Sequence, residues 1–458
     1  MKCGKLHRVS RFLMLAAGTA LAPTALAVRP DAPRLTLGVV SDIHLRCPET
    51  GFDEQAVDVV DFRKALRAFR AAGVDGVVIS GDLASGGRRC DLESVSRIWY
   101  ETFPGNRLPD GRKVEKLFVT GNHDYSGPGE SAGAWEACFH EPFEPVWMKT
   151  VKGYTFIGAH WICAKESKAG MCFNDRIEPF FAAHGKGLEG TRPFFFILHP
   201  HPKDTCYGPG AWGHEDGTAT RLLSAYPNAV ALSGHSHYSL ADDQSVWQGA
   251  FTSIGCGSLA CTERPLPCSE LGDENGDTPK GDAKCKLLPP HVQYRNVQGL
   301  ILRVYDDRLV IERRRFDEAA KIGPDWIVPI PAGSSDFQDR RRSVVPRFAA
   351  SARVTVETGD GLDRGGNPCR LVTAVFPQAT EGPRALRYDV ALQAEDGREL
   401  ARKTVIEDGF HRAPDPLRMN RCPFDREMLP KTGIWRFAVS PRNAWGRMGD
   451  PLFSELQR

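Results

Sequence analysis

Between residues 35 and about 235, short apolar runs alternate with longer mixed segments. "LTLGVVS" (35–41), "GVVIS" (76–80), "EKLFVT" (115–120), "YTFIGAH" (154–160), "FFFIL" (194–198) and "AVALS" (229–233) have the length and β-branched or aromatic content of buried strands. Between the first two, Val59, Phe62, Leu66 and Phe69 recur at spacings of three and four, which predicts an amphipathic helix within 54–72. This alternation predicts an α/β layer architecture with helices on the sheet faces. "GLILRVYDDRLVIERRRF" (299–316) reads as a hairpin turning at Asp-Asp-Arg.

Two stretches break the pattern. Residues 261–291 are rich in Pro, Gly and charge and read as an exposed insertion. Its "DENGD" is a poor calcium loop, because Thr278 stands where Gly is wanted and Lys284 where the closing Glu should be. Residues 317–350 read as a linker, and the Arg340–Arg342 cluster within them as a solvated face. Beyond it, "SARVTVET", "CRLVTAVFP", "RYDVALQAEDGRELARKTVI" and "GIWRFAVSPRNAWG" have the spacing of a small all-β sandwich over 351–458. Its ending, "SPRNAWGRMGDP", resembles the last strand and loop of fibronectin type III domains.

The start of the chain points to export. Lys2, Lys5, Arg8 and Arg11 precede "FLMLAAGTALAPTALA", which ends on Ala25-Leu26-Ala27. This is the n-h-c pattern of a secretory signal peptide over residues 1–27, with Val28 as the first mature residue and a secreted or periplasmic location. The apolar run is too short and interrupted for a stable membrane span. Those four basic residues are the leader's only charges, so cleavage takes the formal net charge from +2 to −2. A near-neutral chain gives no electrostatic reason to expect nucleic acid. One of the 13 cysteines lies in the leader, and the even remainder predicts disulfides. Cys163 with Cys172 and Cys369 with Cys422 are the expected pairs; Cys256, Cys261, Cys268 and Cys285 allow several connectivities.

Polar residues recur where the predicted strands end: Asp42 and His44, Asp82, Asn122, His123 and Asp124, His199, then His235 and His237. In open α/β sheets the carboxyl ends of the strands form one rim, so residues far apart in sequence can meet there. Gly81, Gly121 and Gly234 precede these groups and are read as permitting sharp turns. Oxygen and imidazole donors without thiolate suit two ions of the Mn, Fe, Zn or Mg kind better than one structural zinc.

The ordered series D-x-H, GD, GNH(D), H and GHxH resembles the calcineurin-like metallophosphoesterase superfamily over residues 35–316. The resemblance implies two packed mixed sheets flanked by helices, with a dinuclear centre at the rim of a domain spanning 28–316. It implies Asp42, His44 and His237 on one metal, Asn122, His199 and His235 on the other, and Asp82 bridging. His199 is preferred to His201 because it directly follows the apolar run. His123 would protonate the leaving group, with Asp124 beside it in the catalytic motif. With only two carboxylates, two divalent ions keep a positive charge that favours phosphate and hydroxide. The implied activity is hydrolysis of a small phosphate mono- or diester by metal-bound hydroxide. The Tyr that purple acid phosphatases carry after the GD motif is absent from "GDLASGG". Tyr207, Trp212 and His214 are candidates for the substrate pocket, against ordinary loop packing. The alternative is a metal-stabilised binding or adhesion protein whose working part is the sandwich. That sandwich is read as packing on the catalytic domain, with a carbohydrate or protein partner as its other role.

Overall fold

In the computed structural model, residues 32–125, 128–162, 175–262, 297–333, 337–362, 367–383, 385–406 and 419–458 are described. The leader, the Cys163–Cys172 pair, Cys268, Cys285 and the "DENGD" run lie outside them. No described helix is long and apolar enough to cross a membrane.

The first predicted elements form where the apolar pattern placed them. Strand β1 (Leu35–Val40) leads through helix α1 (Val57–Ala72) to β2 (Gly76–Ser80), and then through α2 (Arg89–Thr102) to β3 (Glu115–Val119). The three strands pair in parallel. Val59, Phe62, Leu66 and Phe69 are the buried face of α1. Gly73 ends that helix at φ 67°, and its N–H satisfies the Phe69 and Arg70 carbonyls. After α3 (Pro128–Phe139) the chain builds a second sheet from β4 (Val146–Val151), β5 (Tyr154–Ala159), β6 (Phe194–Ile197), β7 (Ala229–Ser233), β8 (Val246–Gln248) and β9 (Thr252–Gly255). Helices α4 (Ile177–His184) and α5 (Thr218–Leu223) connect its parallel strands. The order is β4-β5-β6-β7-β9-β8. The predicted hairpin, β10 (Gln298–Val304) and β11 (Arg308–Arg315), returns to the first sheet beside β1.

The expected linker is partly structured. Strands β12 (Ala320–Lys321) and β13 (Trp326–Pro329) both pair with β11, and helix α6 (Phe337–Arg342) follows. Pro and Gly obscured a short alternation: Trp326 and Val328 are buried while Ile327 is exposed. Within the cluster expected to be a solvated face, Arg341 instead pairs with Asp243 at 2.9 Å.

Four layers result. One apolar cluster takes Leu37, Val39 and Leu117 from the first sheet and Phe156, Phe195 and Leu232 from the second, so the sheets pack face to face. The outer face of the first sheet is covered by α1, α2 and α3. Ile177, Phe181, Ala219 and Leu223 of α4 and α5 cover the outer face of the second.

The C-terminal strands form two separate antiparallel sheets. One runs β14 (Thr355–Leu362), β15 (Pro368–Pro377), β18 (Met419–Asp425). The other runs β17 (Glu399–Ile406), β16 (Arg387–Ala394), β19 (Trp435–Arg442), β20 (Leu452–Phe453). Phe376, Tyr388, Phe424, Trp435 and Phe437 fill the space between them. Gln244 donates to the Ala444 carbonyl at 2.6 Å, and Asn443 to the Val344 carbonyl at 3.0 Å, docking this part on the larger one. The expected Cys369–Cys422 bridge conflicts with the register. Cys422 faces Ala374, five residues along β15 from Cys369. That is about 17 Å of strand, beyond the reach of a disulfide.

Candidate metal centre

The carboxyl ends of both sheets meet at one rim. Asp42 and His44 leave β1, Asp82 leaves β2, and Asn122–Asp124 form a single 3₁₀ turn after β3. From the second sheet, His199 follows β6 and His235 and His237 follow β7. Asp42, His44, Asp82 and His237 present ligand atoms within 4.8 Å of one another, and so do Asp82, His199 and His235. Asp82 belongs to both groups. The Asn122 amide oxygen joins the second, 3.1 Å from His199 Nε2.

One atom tests whether cations fit. Asp42 Oδ1 is buried with no hydrogen-bond donor. It lies 3.2 Å from His237 Nε2, 3.9 Å from His199 Nε2 and 4.0 Å from His44 Nε2. An unsatisfied carboxylate oxygen in the interior costs several kcal/mol. A cation held among these same nitrogens removes that cost, and the hard oxygen and imidazole donors suit a pair of divalent ions.

Ring orientation is set from behind. His199 Nδ1 donates to the Ser80 carbonyl at 2.8 Å, which aims Nε2 into the centre. His237 Nδ1 lies 3.3 Å from both Ser258 Oγ and Cys261 Sγ. His201 has both nitrogens engaged, 2.7 Å from Ser233 Oγ and 2.8 Å from Ser236 Oγ, so it braces the loop and leaves the ligand position to His199.

Electrostatics follow from burial and partners. Burial works to raise the Asp42 carboxyl, but His237, His199 and His44 outweigh it and hold the group far below the usual carboxylate range. Burial brings His44 down to about 4 and His235 to about 3, so both are neutral near pH 7, as metal ligation requires. Burial opposes charge on His199 too, yet Asp82 and Asp42 lift it to about 9. Metal binding there must displace a proton.

The proposed catalytic pair divides. His123 is exposed, its ring sits edge-on to His44 at 4.7 Å, and its Nδ1 is 3.2 Å from the Ser85 carbonyl. Its backbone N–H donates to Asp82 Oδ1 at 2.9 Å. Asp124 is instead fully buried, accepting backbone N–H groups from Ala84 at 2.7 Å, Gly121 at 2.8 Å and Leu83 at 3.1 Å. It ties the Asp82 loop to the Asn122 turn and does not face the cleft. Burial, then Asp82, raises its carboxyl to about 7.

The pocket candidates divide as well. Tyr207 is half-buried in loop packing, with its hydroxyl 2.8 Å from Ser245 Oγ. His214 is buried, with Nε2 donating to the Cys206 carbonyl at 2.9 Å. Trp212 alone reaches the centre: 54% exposed, it stacks on His235 at 4.7 Å. Sequence reasoning missed Trp161, whose ring approaches His235 at 5.6 Å and His199 at 6.0 Å. It follows β5, so the strand-end rule that found the ligands also pointed to it.

The backbone is unusual at this rim. Asp42, His44, Asp82, His235 and His237 have φ between 50° and 69°, a left-handed region costing roughly 1–2 kcal/mol per non-Gly residue. The glycines serve differently from expectation. Gly81 does turn at φ 102°, but Gly121 is extended at φ −107° and Gly234 has no left-handed φ. Close approach explains all three. A Cβ on Gly81 would strike the His199 ring, one on Gly121 the Asp82 carboxylate, and one on Gly234 Ser41 and the Asp42 carboxylate.

Residues 35–239 match the family model described as calcineurin-like phosphoesterase. The chain carries a domain of that family. By class it is a metal-dependent phosphoric ester hydrolase. Curated protein sequences give no match. Among solved structures, a dimetal phosphatase from Danio rerio is 12% identical, with 65% of this chain and 99% of that chain covered at a TM-score of 0.37. A conserved uncharacterized protein and predicted phosphoesterase from Streptococcus pneumoniae TIGR4 is 13% identical, with 64% and 97% covered at 0.27. Likenesses this slight carry no argument about the chemistry of this chain. In the calcineurin-like phosphoesterase domain, the two ligand groups at the rim form a candidate dinuclear metal site.

Proposed function

We propose that the chain is an exported dinuclear-metal phosphoesterase that cleaves a phosphate mono- or diester, with His123 protonating the leaving oxygen. The observation that carries this reading is the pair of ligand groups sharing Asp82 around the unsatisfied Asp42 Oδ1. Asp42, His44, Asp82 and His237 would hold one ion, and Asp82, Asn122, His199 and His235 the other. When bound, such ions supply positive charge to phosphoryl oxygens and lower the pKa of a coordinated water.

The remaining work falls to side chains. His123 has its Nδ1 beside the Ser85 carbonyl, which orients the ring, and Nε2 is the nitrogen proposed to deliver the proton. Asp82 orients the same residue through the His123 backbone N–H. Asp124 fixes the two loops that carry them. Trp212, stacked on His235 and open on its other side, is the proposed contact for the ester's organic group.

Hydrolysis of bis-p-nitrophenyl phosphate and p-nitrophenyl phosphate, with chelator and with added Mn, tests the reading. Chelator-sensitive release of nitrophenolate is expected, and the ratio of the two rates assigns diester or monoester preference. Full metal occupancy with no turnover would overturn it in favour of a binding protein working through the sandwich. Export predicts a mature N-terminus at Val28, read by intact mass; a secreted form retaining Met1 would contradict it.

A further inference from the structure

Two cysteines meet just behind the metal-binding loops. Cys47 ends the segment that begins with Asp42 and His44, and Cys90 opens α2 after the loop that runs from Asp82 through Ser85. The two segments already pair through the Leu45–Ala84 bridge and the bond from Ser85 Oγ to the His44 carbonyl at 2.8 Å. Beyond that bridge, both cysteines converge on one carboxylate oxygen. The Cys47 backbone N–H donates to Asp91 Oδ1 at 2.7 Å, and Cys90 Sγ lies 3.9 Å from the same atom. Arg88 closes the cluster, bonding the Cys47 carbonyl at 2.6 Å and Asp91 Oδ1 at 2.8 Å. Burial, and then the nearby Cys47, raises the pKa of the Cys90 thiol.

We propose that Cys47 and Cys90 form a disulfide that ties the Asp42–His44 segment to the Asp82–Ser85 segment. Two segments already bridged, with both cysteines gathered on Asp91 Oδ1, need little movement to reach bonding geometry. The reaction is exchange with a disulfide oxidant of the glutathione type. One thiolate attacks a sulfur of the oxidant, forming a mixed disulfide and releasing one oxidant thiol, and the second thiolate then attacks the protein sulfur of that mixed disulfide and releases the other. The Cys47–Cys90 bond forms as the oxidant's S–S bond breaks, and two electrons and two protons leave with it as two thiols. The covalent tie holds the positions of Asp82 and of Ser85, whose carbonyl receives His123, against opening of the rim.

The test is a peptide map of the full chain after equilibration with oxidised glutathione, with free thiols alkylated under denaturing, non-reducing conditions. Trypsin should release residues 47–63 joined to 90–97, since Arg46, Arg63, Arg89 and Arg97 flank them. Reduction should separate the two peptides. Recovery of both as singly alkylated peptides from folded protein, or of either joined to another cysteine, would overturn the proposal. Oxidation in vitro keeps the result independent of whether the chain is exported, and the mass readout keeps it independent of catalysis. As a second measurement, C47S and C90S should each lower Tm by about 5–10 °C relative to the oxidised wild type. An unchanged Tm in both would overturn the clamp.

Discussion

The rim and the C-terminal sandwich are built by opposite rules. In the sandwich, side chains alternate in and out, the core is apolar, and no non-glycine residue described in 351–458 has a left-handed backbone. At the rim, five of the seven metal-ligand candidates adopt that backbone, and both carboxylates among them are buried. Backbone strain persists only where the surroundings force it. The contrast locates the chemistry: the sandwich spends its residues on stability, the rim on geometry.

Substitutions can break or sharpen that contrast. Asp82→Ala should have the largest effect, cutting phosphodiester turnover by about 10³-fold or more and leaving at most one metal per chain, read by elemental analysis. A variant that keeps both metals would remove Asp82 from the bridge. His123→Ala should cost about 10²–10⁴-fold with an alkyl leaving group and far less with p-nitrophenolate, at unchanged metal content. Equal losses for both substrates would end the proton-donor role. Phe437→Ala in the sandwich core should do the converse, costing about 3–5 kcal/mol in denaturant melts while the folded fraction keeps its metal and turnover. Metal loss there would mean that the two regions are coupled. Trp212→Ala should raise KM for aryl esters by roughly tenfold, or about 1.4 kcal/mol, with little change in kcat; a kcat effect alone would place Trp212 behind His235 as a support.

The smallest effect tests the seam between the regions. Burial lifts the Asp242 carboxyl from its ordinary 3.8 to about 7. The folded chain therefore holds a proton that the unfolded chain has lost across that window. The stabilisation it confers is complete below about pH 4 and disappears as pH rises through about 7. Asp242→Asn keeps the acceptor for the Gln244 N–H. It should gain about 1–2 kcal/mol over wild type at pH 8, part of the gain being offset by the new amide's own needs, and nothing at pH 4. Thermal melts across that range measure the gap; a gap constant with pH would rule out the Asp242 titration.

The sequence was most legible where local rules and tertiary packing agree. The runs at 35–41, 76–80 and 229–233 became strands because apolar run length alone identifies a buried strand. The ligands were legible because a parallel strand must end at the rim. What escaped depended on contacts between distant segments. Trp326 and Val328 form a strand only because β11 offers them an edge. His201 looked interchangeable with His199 until Ser233 and Ser236 engaged both its nitrogens. Asp124 looked catalytic until three backbone amides claimed its carboxylate. The Cys369–Cys422 pairing followed from scarcity of cysteine nearby, and strand register, which chain distance does not reveal, separates them.

The glycines before the rim residues carry a further consequence. Each leaves space for a side chain from a different motif: Gly81 for His199, Gly121 for Asp82, Gly234 for Asp42. The motifs are therefore not interchangeable modules. An engineer grafting this centre onto another scaffold, ligand by ligand, would find the copied side chains colliding unless the three empty positions were carried across with them. The same interlock lets a lineage abandon the centre piecemeal, but makes rebuilding it difficult once one of those spaces has been filled.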